Sequence, residues 1–310
     1  MTSASNTKAV MLLILCAFFW GSCFPVGKDV LGQVHAYTLV FWRFVIAAIC
    51  LMLYIRIKNI QFGEISTNQW GWVILVSIVG VGVGGLNLGL FTGLTLTSST
   101  NGALIMALSP LVTSLIACFF QLRLPSTSQV FSIVVSLIGV GLVITNGQID
   151  MLASLKINHG DKLIFCGMLA WSAYTYCSQS ISRWMPVIPY TLIGMLSGAV
   201  VIGGLCLFEP DVHPLSELLT TSRTGISEVI YIGVFGTVAG YLLWLNGVQA
   251  LGAPVASLFF NFVPVFSVLT SVLMGQTVTT VQILGIAVVI IGLLIPRMPA
   301  LAGQLTKRVA

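Results

Sequence analysis

Charge is nearly missing from this chain. Of its 310 residues only 7% are charged, where a soluble domain carries roughly 25%. The rest is 57% hydrophobic, with a mean hydropathy of +1.04. A water-soluble globule is excluded, because it must show water a polar exterior. The solvent for most of the chain is lipid. Other scarcities narrow the chemistry. The three histidines, His35, His159 and His213, fall in or near loops, and no HExxH motif occurs. No carboxylate cluster lies within an apolar run, so neither a zinc hydrolase nor an acid–base enzyme is indicated. The seven cysteines form no CxxC pair and sit in apolar runs, where they read as small packing residues. The longest loops, near 147–161 and 209–228, are too small to fold alone. No cofactor and no nucleic-acid partner is expected. The expected partners are the lipid bilayer and a small-molecule substrate, and no coupling ion or proton is specified.

What is abundant is apolar sequence in lengths of about 20 residues, enough to cross a bilayer as a helix. Ten such runs can be read, at about 8–28, 36–56, 69–94, 98–122, 128–147, 162–183, 188–208, 228–250, 254–274 and 278–297. The first lacks a small-residue cleavage pattern and is followed by similar runs, so it reads as a retained helix. Ten spans put both termini on one side. That side carries Lys8, Arg56, Lys58, Arg123, Arg183, Arg297, Lys307 and Arg308. The other carries Lys28, Lys156, Lys162 and Arg223. The excess of basic residues places both termini in the cytoplasm.

The runs repeat. Gly82, Gly93, Leu104, Pro110 and Leu115 each recur 154 positions later as Gly236, Gly247, Leu258, Pro264 and Leu269. Beyond the next turn the offset becomes 153, and Gly139 meets Gly292. Phe19-Trp20-Gly21-Ser22 echoes Ala170-Trp171-Ser172-Ala173, and Ala36-Tyr37-Thr38-Leu39 echoes Pro189-Tyr190-Thr191-Leu192. The expected fold is an all-α membrane protein of ten transmembrane helices in two five-helix repeats, 8–147 and 160–297. An odd number of spans per repeat makes the second repeat inverted, an architecture of secondary transporters that hold substrate near the midplane between halves.

These features resemble the drug/metabolite transporter superfamily, in its ten-helix EamA-like family. The resemblance rests on Phe19-Trp20-Gly21-Ser22, Arg43-Phe44, Gly240-Tyr241 with Trp244, Val263-Pro264-Val265 and the closing Gly285 to Gly292. It covers about 8–297. It implies a small-molecule carrier of the inner (plasma) membrane, multi-pass, working by alternating access around a central cavity. The expected function is export of amino acids or related amphipathic solutes, with uptake by a facilitator and a lipid-acting membrane enzyme as the alternatives. Members of the family often carry a Gly-Glu pair after the fourth and ninth helices. Here Gln121-Leu122-Arg123 and Gly275-Gln276 stand there, so a coupling role for those carboxylates has no support.

Several polar and aromatic residues inside the runs are candidates for substrate binding. Arg43 is the only clear charge deep in a run. It either meets an anionic group or gate in a cavity, or snorkels from about seven residues inside its helix. Asn87, Tyr241, Asn246 and Asn261 either face a cavity or join neighbouring helices. Trp20, Trp171, Tyr174 and Trp244 read as stacking walls for a flat or cationic solute, or as packing. Pro110 and Pro264 are matched between the repeats, as hinges or as plain kinks. Gly80-Val-Gly82-Val-Gly84-Gly85 contains GxGxxG, but it lies in a membrane run without a βαβ unit. It reads as a close-packing face.

Overall fold

The computed structural model describes residues 3–83, 93, 96, 102, 105–148, 158–275 and 277–295. Among them the chain is almost wholly helical, with no strand. This follows from the solvent: hydrocarbon offers no partner to a backbone N–H or C=O, so each apolar run must satisfy its own. The helices are α1 (Ser3–Val30), α2 (Ala36–Lys58), α3 (Thr67–Ser77), α4 (Ser109–Gln121), α5 (Thr127–Thr145), α6 (His159–Ile181) and α7 (Val187–Phe208). They continue with α8 (Pro214–Thr220), α9 (Arg223–Tyr231), α10 (Gly240–Leu251), α11 (Ala253–Leu258), α12 (Phe262–Leu273) and α13 (Thr280–Leu294). Among the described residues six stretches are long and apolar enough to cross a membrane: Thr7–Val30, Ala36–Lys58, Thr127–Thr145, Val187–Phe208, Arg223–Leu251 and Ala253–Leu273. Shorter apolar helices occupy Thr67–Val81, Ile105–Gln121 and Thr280–Leu294. Helix α6 is more polar because Ser172, Thr175 and Ser178 are buried along it, facing protein.

Short polar signals set the helix starts. Ser66 with Gln69, Ser126 with Gln129, Asn158 with Asp161 and Thr279 with Gln282 each form a reciprocal capping box. Each box satisfies backbone donors that the first turn leaves without partners. The boxes of α5 and α13 are separated by the same 153 residues as Gly139 and Gly292.

Among the described residues two stretches widen into π-helix. Ile78–Val83 and Ile232–Ala239 are π-helical, and their first residues lie 154 positions apart, the spacing of the sequence repeat. In the second, the Thr237 hydroxyl donates to the Ile232 carbonyl at 2.9 Å, and the Trp20 indole N–H donates to the Gly236 carbonyl at 2.9 Å. Wide turns of this kind release carbonyls for outside donors. The two prolines also follow breaks. Leu108 forms a turn directly before Ser109-Pro110, and a three-residue 3-10 turn, Phe259–Asn261, leads into the helix that carries Pro264. A proline ring displaces the carbonyl four residues back and lacks an N–H.

The helices pair reciprocally. Helix α1 packs on α12 and α10, while α6 packs on α4 and the first π segment. Helix α2 packs on the second π segment and α7 on the first, α2 also meets α7, and α5 meets α13. Individual contacts mirror each other. Gly93 abuts Ile164, and Gly247 abuts Leu13. Ser109 bonds Ser172 through their hydroxyls at 3.2 Å, and Gly21 lies against the backbone of Val263. Gly139 lies against Val289, and Gly292 against Ser136.

Between the spans, α8 is tied to the α1–α2 turn. The Glu217 carboxylate accepts the backbone N–H groups of His35, at 2.7 Å, and His213, at 2.9 Å. Trp42 donates its indole N–H to the Pro214 carbonyl at 2.8 Å. Partial burial by itself would raise the Glu217 carboxyl. The His35 and His213 donors outweigh it and hold the group below the usual glutamate range.

Candidate functional site

Six aromatic rings from four parts of the chain meet in the protein interior. Trp171 and Tyr174 lie three residues apart on α6, and Tyr241 and Trp244 three apart on α10, so each pair shares a helical face. Trp20 comes from α1. Phe260 comes from the 3-10 turn ahead of Pro264. Ring centroids are 5.4 Å apart for Trp20 and Trp171, 5.2 Å for Trp20 and Trp244, and 5.8 Å for Trp20 and Phe260. Trp171 stacks on Tyr174 at 5.5 Å and meets Tyr241 edge-on at 5.8 Å. Tyr174 in turn stacks on Tyr190 at 5.8 Å. All these rings are buried, with Trp171 and Tyr241 at 0% exposure.

The polar atoms of this cluster divide in two. Some are held by protein. Trp20 donates to Gly236 O, the Ser178 hydroxyl lies 2.9 Å from the Tyr190 hydroxyl, and Ser178 donates to the Tyr174 carbonyl at 2.6 Å. Others have no partner among the described residues: the indole N–H groups of Trp171 and Trp244, and both amide atoms of Asn261, which is 1% exposed. A buried donor or acceptor left without a partner costs about 1–3 kcal/mol. Such groups concentrate where something else supplies the bond. The arrangement offers flat apolar walls with a few hydrogen-bonding points, the composition of a small-molecule site. Among the described residues no group of three or more His, Cys, Asp or Glu side chains could hold a metal ion.

Arg43 is buried on α2 and reaches the second π segment. Its Nε–H donates to the Thr237 hydroxyl oxygen at 3.1 Å, and its guanidinium carbon lies 5.4 Å from the Phe44 ring centre. No carboxylate pairs with it among the described residues. It therefore does not snorkel freely but is fixed against the backbone break that also takes the Trp20 indole.

Of the residues singled out in the sequence, Trp20, Trp171, Tyr174 and Tyr241 come together. Asn261 is buried one position beyond Phe260, and Arg43 binds the adjoining π segment. Asn246 does not join them. It is exposed and turns its amide back to the Leu242 carbonyl at 2.7 Å, because it lies five residues after Tyr241 and so on a different face of α10. Asn87 lies outside the described residues. Trp244, read from the sequence as a stacking aromatic, also joins the cluster. Phe260 and Thr237 were missing from the sequence-based site, and nothing in the sequence marks them.

Comparison with known proteins places the sequence among transporters. The profile of the EamA-like transporter family matches residues 7–145 and 158–297. The uncharacterized transporter YyaM of Bacillus subtilis is 32% identical over 286 residues, covering 92% of each chain. YrdR of the same organism, also an uncharacterized transporter, is 25% identical over 292 residues, covering 91% of this chain and 88% of its own. The uncharacterized inner membrane transporter YicL of Salmonella typhimurium is 24% identical over 274 residues, covering 87% and 88%. One solved crystal structure shares the fold, with a TM-score of 0.75 at 17% identity, covering 97% of this chain and 98% of the other.

Proposed function

The chain belongs to the EamA-like transporter family, and from that premise we propose that it is a secondary carrier of small amphipathic metabolites, most of all amino acids, exported by alternating access. The family assignment makes it a multi-pass membrane protein and a transporter rather than an enzyme. We place it in the inner membrane with both termini cytoplasmic. Its ten spans then form two inverted halves, 8–147 and 160–297. The mirrored contacts support that inversion, since a two-fold axis in the membrane plane turns the Gly93–Ile164 contact into Gly247–Leu13, and Gly139–Val289 into Gly292–Ser136.

One observation carries the reading: a fully buried aromatic cluster that draws Trp20 from the first half and Trp171, Tyr174, Tyr241, Trp244 and Phe260 from the second. Rocking one half against the other separates Trp20 from Trp171 and opens the space between. Flat faces then receive an apolar side chain, while the N–H groups of Trp171 and Trp244 and the amide of Asn261 bond its polar end. The breaks before Pro110 and Pro264 are where the helices bend.

The test is counterflow in proteoliposomes loaded in turn with amino acids, nucleosides or cationic drugs. Amino acids should exchange and the other two classes should not. Absence of counterflow for every class would sink the carrier reading. Cysteines introduced at Gln61 and Asp211 in a cysteine-free background test the topology. They should label from opposite faces of a sealed membrane, and labelling from one face would refute ten spans.

A further inference from the structure

We propose that Arg43 and Thr237 form an anion subsite on the second π segment, and that the cargo is a monocarboxylate with a flat apolar body. The proposal rests on the carrier reading above and narrows the substrate class. Arg43 has 8% of its surface exposed, lies well inside α2, and has no carboxylate partner among the described residues. A charge held within a membrane helix needs a counter-charge or a polar cavity, and here protein supplies neither in full. Its one hydrogen bond uses Nε, to Thr237 Oγ1 at 3.1 Å. The Thr237 hydroxyl hydrogen is already committed to the Ile232 carbonyl at 2.9 Å, so its oxygen can only accept there. This fixes the guanidinium plane, with the Phe44 ring 5.4 Å away. The two terminal amino groups donate to no described residue.

A fixed fork of terminal N–H groups matches the two oxygens of one carboxylate. A single cation balances a single negative charge, which favours a monoanion over a phosphate. The subsite adjoins the aromatic cluster through the chain itself. Gly236, the residue before Thr237, takes the Trp20 indole on its carbonyl and lies against Cys23, one turn along α1 from Trp20. An anion at Arg43 therefore sits one residue along the π segment from the carbonyl that holds Trp20.

The probe pair is phenylacetate and phenylacetamide, which share shape but differ in charge. Binding is read by the intrinsic tryptophan fluorescence of the purified full chain. Phenylacetate should half-saturate at about tenfold lower concentration than phenylacetamide. Arg43→Met should bring the two together, and Arg43→Lys and Thr237→Val should each retain only part of the preference. Equal binding by the unaltered protein, binding of neither compound, or a preference that survives Arg43→Met overturns the subsite. Should Arg43→Met fail to fold, an unchanged ratio in both Arg43→Lys and Thr237→Val overturns it instead. Amino-acid counterflow that persists without any carboxylate preference sinks this proposal alone, whereas loss of all counterflow in the unaltered protein sinks the carrier reading.

Discussion

Replacing Gly139 by alanine is expected to cost the protein its fold, while the same change at Gly141, two residues along the same helix, is slightly stabilising. At Gly139 a Cβ would stand 2.6 Å from the Val289 nitrogen and 2.8 Å from the Gly285 carbonyl oxygen. These are backbone atoms of α13, so no side chain can rotate aside. The helices must part, and with them the mirrored seam where Gly285 would meet the Gly139 oxygen and the Val143 nitrogen, each at 2.8 Å. Close backbone approach at small residues is a main source of helix association in lipid, where burial of apolar surface supplies little. Overpacking costs about 1–3 kcal/mol in cores that can adjust, and this seam has less room than most. At Gly141 a Cβ meets nothing within 4 Å. Alanine there should even gain about 0.5–1 kcal/mol of helix propensity. Yield of monodisperse protein in detergent and its Tm are the readouts. Normal yield and Tm for Gly139→Ala would refute the seam.

The second large effect concerns Trp171. Trp171→Ala removes a ring that touches Trp20, Tyr174, Tyr241, Trp244 and Phe260. It should destabilise by about 3–5 kcal/mol, which would hide any effect on transport. Trp171→Phe is the sharper change. It keeps an aromatic face and deletes an N–H that has no partner among the described residues. Losing the unpartnered donor costs nothing by itself, but the smaller ring leaves a cavity, so stability should fall by about 1 kcal/mol. If that N–H bonds cargo, counterflow of amino acids should fall about tenfold or more. Trp20→Phe provides the contrast. Its N–H is bonded to Gly236 O, so stability should fall by about 1 kcal/mol more than in Trp171→Phe, together with transport. A Trp171→Phe protein that transports normally, or loses transport only in step with Tm, would make Trp171 a packing residue.

Some of this was legible from residues alone. Scarcity of charge named the solvent, and the solvent dictated helices. The 154-residue echo between Pro110 and Pro264 marked the two breaks, and the polar pairs Ser126 with Gln129 and Thr279 with Gln282 carry helix starts in their own spacing. These are local or self-comparing signals, which need no knowledge of neighbours. The inward faces were not legible in the same way. In water, the apolar stripe of a helix tells which side is buried. In lipid both sides are apolar, so Asn246 and Asn261 were both candidates, yet one is exposed and the other is buried beside Phe260. Trp20 and Trp171 could be picked out because their surroundings repeat. That Trp244 and Phe260 close the ring, and that Arg43 binds Thr237, depended on contacts across 194 residues or more of chain for Arg43 and the Trp20 partners. Sequence alone thus determined the membrane class, the duplication and several helix starts, because composition, repetition and capping are properties of the chain. Tertiary structure decided the membership of the aromatic cluster and the partner of the buried Arg43, because in a helix apolar on every side only packing distinguishes protein from lipid.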